Sequence, residues 1–171
     1  MNEPVRVIEY DPRWPRLYEE EKGRIRDALG NAALDIQHIG STAVPGMGAK
    51  PIIDIMVSVP ELAAAERCVQ ALESLGYEFR GEAGIPGRLF FGKGTPRTHH
   101  LHMVEQESDF WKSHILFRDL LRGHPDEARR YHKLKRQLAA RFGADREAYT
   151  EGKASFVESV LAKARDAATP F

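Results

Sequence analysis

The sequence predicts an α+β fold, a mixed β-sheet flanked by helices with a C-terminal helical block. Three observations predict it. Short apolar runs punctuated by glycine and proline fill the chain to about residue 106. Apolar stripes of helical period fill about 107–166. The order is β, α, β, β, α, several strands and then three helices, so strands precede a helical block rather than alternate with helices. The 171 residues are read as one domain, long enough for a sizeable core.

Val5 to Tyr10 alternates and reads as a short strand. Asp11-Pro12 opens a helix, a cap followed by proline in the first turn. Trp14, Leu17, Tyr18, Ile25 and Leu29 form its stripe, and Gly30 stops it. Strands at 34–39 and 52–59 flank a turn of small residues. Glu61 to Leu75 reads as one helix, with Leu62, Ala65, Val69 and Leu72 at three- and four-residue spacing and Gly76 as terminator. Strands are expected at Tyr77–Arg80, Arg88–Gly92 and His99–Glu105. Three helices follow: about Ser108–Arg122, then Pro125 to Gly143 with Asp126 and Glu127 in a first turn that favours negative charge, then from Asp145 to about Arg165.

Composition excludes several classes. Lysine plus arginine (25) balances aspartate plus glutamate (25), so no overall field points to nucleic acid or membrane. The lone Cys68 rules out an internal disulfide framework and a multi-cysteine zinc site. No run approaches the roughly 20 apolar residues of a membrane span, and the start lacks a signal-peptide pattern. The expected location is the cytoplasm.

The chemistry concentrates in residues 38–57. An apolar strand ends in a turn containing Gly40, Ser41, Pro45, Gly46 and Gly48, and a second apolar strand carries one charge, Asp54. A Gly/Ser turn presents backbone N–H groups to an anion. An ionised carboxylate inside an apolar strand costs several kcal/mol unless paired, hydrogen-bonded or bound to metal. Lys50 lies between the two features. Anion-binding turn, cation and in-strand carboxylate are what a site for a nucleotide and a divalent metal needs; the plainer alternative is a tight turn and an Asp at a strand edge.

Two further groups qualify. His100 and His102 share one strand face, and with a nearby carboxylate such a pair can hold a divalent metal; Asp54 is the candidate if the strands are neighbours. Most cations of the helical block, Lys135 among them, read as a solvated helix face. Arg118 and Arg122, at i,i+4 spacing, and Lys153 sit in aromatic surroundings, where a cation often meets an anion. Nothing supports a nucleophile elbow around Ser41, and the phosphate-loop and dinucleotide signatures are absent.

The string His38-Ile39-Gly40-Ser41-Thr42-Ala43-Val44-Pro45-Gly46, then Ala49-Lys50-Pro51-Ile52-Ile53-Asp54-Ile55, closely resembles the GrpB family. So do Leu116-Phe117-Arg118-Asp119 and Tyr149 to Lys153, and the resemblance runs from about Val5 to Ala164. It implies a divergent nucleotidyltransferase-like fold, in a family whose domain is also found fused behind dephospho-coenzyme A kinase. In that superfamily a Gly-Ser turn holds a triphosphate, and two carboxylates on the next strand hold magnesium with a third from a later strand. By position Gly40 and Ser41 match the turn, with Thr42 adjoining it as a further candidate ligand residue, and Asp54 matches a strand carboxylate. The second carboxylate is missing, since Ile52 and Met56 stand at its spacing.

The expectation is therefore a nucleotidyltransferase-like protein. A nucleotide or other phosphorylated small molecule would lie on the Gly40–Ser41–Thr42 turn, its charge met by Lys50, Arg118, Arg122 and Lys153. A divalent metal, magnesium or manganese, would be held by Asp54 with His100 or His102, and Asp54 would be the catalytic residue of a nucleotidyl or phosphoryl transfer. Two alternatives stand beside it: a non-catalytic ligand-binding or regulatory module with a degenerate metal site, and a metal hydrolase using Asp54, His100 and His102.

Overall fold

Five strands form one sheet in a computed structural model that describes residues 4–168. They are β1 (Asp35–Ile39), β2 (Ile53–Val59), β3 (Tyr77–Phe79), β4 (Arg88–Lys93) and β5 (His99–Glu105). The order across the sheet is β1-β2-β5-β4-β3. Only β2 and β5 run parallel; the other pairs are antiparallel. The sheet is thus mixed, with β5 at its centre and the apolar β2 beside it.

Both faces are covered. Ile53, Ile55 and Val57 of β2, with Leu101 and Met103 of β5, pack against Trp14, Tyr18, Ile25 and Leu29 of helix α1 (Trp14–Leu29). Leu72 joins them from helix α3 (Val69–Ser74). Alternate residues point the other way: Met56 and Val104 meet Ile39 and Trp111. Trp111 belongs to α4 (Asp109–Gly123), which Ser108 caps by accepting from Trp111 N–H at 3.3 Å. Helices α5 (Pro125–Phe142) and α6 (Arg146–Ala168) complete the block. A second apolar cluster of Val44, Met47, Leu121, Ala128 and Tyr131 ties it to the glycine-rich turn. No described helix is long and apolar enough to cross a membrane.

Three local expectations differ from what forms. Val5–Tyr10 is no strand: it makes one bridge, Ile8 to Ala49, and Val5 N–H donates to Gly143 O. Val5 is buried, and Tyr10 meets Trp14 edge-on with 5.4 Å between ring centres. The helix at 61–75 is broken into α2 (Leu62–Ala65), a 3₁₀ turn (Glu66–Cys68) and α3. Leu62, Ala65 and Cys68 recur every third residue, which is the period of a 3₁₀ turn. The last helix passes Arg165 and runs to Ala168; residues 169–171 lie outside the described part.

Candidate functional site

The turn after β1 is built by backbone and braced from both sides. Ala43 N–H donates to Gly40 O and Val44 N–H to Ser41 O, each at 3.1 Å. Arg118 of α4 donates to His38 O at 3.0 Å and Gln37 Oε1 at 2.7 Å, and Arg122 donates to Ala43 O at 2.8 Å. His38 contacts Thr42 Oγ1 through Nε2 at 2.9 Å and stacks on Tyr18. Burial lowers the His38 pKa to about 4, so the ring is neutral at pH 7. Arg118 and Arg122 therefore hold the strand and turn in place.

Asp54 faces the helical block from β2. Its register partners are Ile39 on β1 and His100 on β5. Its Oδ1 lies 3.2 Å from His102 Nε2 and 3.4 Å from His100 Nδ1. Behind His102 stands Arg88, buried, with Nη1 3.4 Å from His102 Nδ1 and Nη2 donating to the carbonyls of Glu82 and Ala83. A guanidinium only donates, so His102 Nδ1 accepts; in the neutral ring the proton sits on Nε2 and points at Asp54. Burial opposes ionisation of Asp54, but the hydrogen bonds from His100 and His102 outweigh it and hold its carboxyl far below the usual range. Asp54 is a fixed anion.

Beside this anion lies a cavity of about 210 Å³, lined by Gly40, Ser41, Thr42 and Asp54 on the sheet side and by three lysines. Lys135 of α5 is 3% exposed, donates to Gly48 O at 2.7 Å and lies over the Tyr131 ring. Lys50 and Lys153 flank the Tyr149 ring at 5.5 and 4.5 Å. None of the three is ion-paired to a carboxylate among the described residues. Burial, then the neighbouring lysines, lower Lys135 to about 7 and Lys153 to about 8; burial lowers Lys50 too. Three lysines and one ionised carboxylate thus share the cavity, and perturbed groups of this kind cluster where a site is built. A second cavity, about 260 Å³, opens on the other side of Gly40, Asp54 and Tyr131, and is mostly apolar.

The fold thus brings Gly40, Ser41, Thr42, Lys50, Asp54, His100 and Lys153 to one cavity, with His102 reaching Asp54 from behind. Arg118 and Arg122 are not in that lining. Lys135 belongs there although it reads as surface from the sequence. The signal was its phase: it stands at i+4 from Tyr131, on the buried stripe of α5.

Magnesium takes hard oxygen ligands near 2.1 Å. Here one carboxylate stands alone, and the His102 lone pair is engaged by Arg88. Among the described residues no group of three or more His, Cys, Asp or Glu side chains is disposed to hold a metal ion. The donor set does not fit a magnesium site.

The family model described as GrpB protein matches residues 4–163. The chain belongs to the GrpB family. A UPF0157 protein of Pseudomonas aeruginosa is 46% identical over 94% of this chain and 67% of its own length. The crystal structure of GrpB from Enterococcus faecalis superposes with a TM-score of 0.87 at 36% identity, over 94% of this chain and 98% of that one. The same domain occurs within a dephospho-CoA kinase of Mycolicibacterium paratuberculosis, 30% identical over 95% of this chain but 46% of that protein. Cid1 in complex with a UTP analogue is a distant likeness, TM-score 0.45 at 12% identity over 85% of this chain and 48% of that one, and nothing about function follows from it.

Proposed function

We propose that this GrpB domain binds a nucleotide or another phosphorylated small molecule, with the phosphates on the Gly40–Ser41–Thr42 turn and their charge met by Lys50, Lys135 and Lys153. The observation that carries the reading is the convergence of three lysines, none ion-paired among the described residues, on one cavity beside that turn. A buried ammonium is costly unless something compensates it, and a bound phosphate would compensate several at once. Asp54, held ionised, is a hydrogen-bond acceptor for a hydroxyl of the ligand rather than a proton carrier at neutral pH. The lysines do the neutralising that a metal does elsewhere in phosphoryl chemistry.

A second reading keeps the nucleotidyl or phosphoryl transfer that the resemblance implies, with Asp54 and His100 or His102 holding a divalent metal. The position of Asp54 between the two cavities favours it; the lone carboxylate does not.

Calorimetric titration with ATP, CTP, GTP, UTP and coenzyme A precursors, each with and without magnesium or manganese, separates the two. Metal-independent binding that weakens roughly tenfold or more in Lys153→Ala, one lost charge contact of ~1.5–3 kcal/mol, supports the lysine site. Binding and turnover that both require metal and vanish in Asp54→Asn support transfer. No binding under any condition overturns the anion site.

A further inference from the structure

We infer that the ligand is a phosphate ester carrying a ring-sized apolar group, seated across both cavities with Asp54 at the waist between them. This rests on the anion-site reading above and says what lies beyond the phosphate.

The two cavities are not independent. Gly40, Asp54 and Tyr131 line both, so one molecule entering either meets the same three residues. Their chemistry differs sharply. The first holds the three lysines and the hydroxyl-bearing turn. The second holds no lysine or arginine; Ile39, Phe117, Tyr131, Val157 and Leu161 supply its walls. Ligand sites combine apolar walls with a few placed polar groups, and here the two requirements are divided between adjoining lobes.

The polar groups of the apolar lobe are specific. His114 Nδ1 lies 2.8 Å from Phe110 O and the ring stacks on Phe110 at 3.9 Å. A carbonyl only accepts, so Nδ1 carries the proton. Burial lowers the His114 pKa, which leaves Nε2 with a lone pair. Ser113 adds a hydroxyl. A ring with a hydrogen-bonding edge suits these walls. An inorganic polyphosphate or a bare sugar phosphate leaves the lobe unfilled.

The test compares tripolyphosphate, ribose 5-phosphate and the four nucleoside triphosphates on the native chain and on Val157→Trp and Leu161→Trp, which plug the apolar lobe. At least one nucleoside triphosphate should bind roughly tenfold or more tighter than tripolyphosphate, about what one stacked ring contributes. Either plug should remove that advantage and leave tripolyphosphate within about twofold, which also shows that the variant is folded. If tripolyphosphate binds but no nucleoside triphosphate binds tighter, or if both plugs weaken the two probes equally, the two-lobe ligand is wrong and the anion site stands. If no probe binds the native chain, both fall.

Discussion

A Cβ placed on Gly40 would stand 2.8 Å from Asp54 Oδ2: the turn and the carboxylate touch through a missing side chain. Gly40 also has φ +73° and ψ −173°, a region essentially confined to glycine, where another residue costs about 1–3 kcal/mol. Gly40→Ala should therefore lower stability by about that amount in a urea titration and weaken phosphate-ligand binding further, because Asp54 must turn away. A Gly40→Ala protein with native affinity would separate Asp54 and the turn from the binding site.

Arg88 acts on the site through His102. Its Nη1 faces His102 Nδ1 at 3.4 Å and its Nη2 satisfies two carbonyls. Arg88→Met should cost about 1–3 kcal/mol, since those carbonyls lose a buried donor. It should also release His102 from the Nε2–H tautomer. The readout is the pair of His102 ring nitrogen chemical shifts near pH 8: distinct protonated and unprotonated signals in the native protein, drawn together in the variant. Unchanged shifts would mean that Asp54 alone orients the ring.

The legible and the hidden parts divide along physical lines. The period-two and period-3.6 patterns carried the central strands and the long helices, because each element buries one continuous face. The Gly-Ser turn and Asp54 were legible as a charge among apolar neighbours. The closeness of Asp54 to His100 and His102 was not, because it depends on β5 inserting beside β2, a pairing across about forty residues that no local pattern encodes. Lys135 was hidden for a different reason. A lysine on a basic helix looks solvated until the opposing Gly48 carbonyl and Tyr131 ring are placed around it. Glu21, buried on α1 and bound by Tyr77, Lys93 and Arg24, is missed likewise, since its partners come from two later strands and its own helix.

The lysines give the site a pH signature whose sign is fixed by their direction of shift. Lys135 is lowered to about 7 and Lys153 to about 8, from an ordinary value of 10.5. A bound phosphate favours the ammonium, so binding should take up protons between those values. Affinity for a phosphate ligand should be highest near pH 6.5 and fall as pH rises through 7 and 8. Stability of the free chain carries the opposite sign. The unfolded lysines hold more protons than the folded ones above pH 7, so these two groups make the fold more stable as pH rises from 7 toward 10. Lys153→Arg tests the assignment, because a guanidinium keeps its charge throughout this range: the fall in affinity above pH 8 should flatten. Titration at pH 8 in two buffers of different ionisation enthalpy counts the protons directly. A pH-independent affinity with no proton uptake would mean that the ligand's charge is met somewhere other than at Lys135 and Lys153.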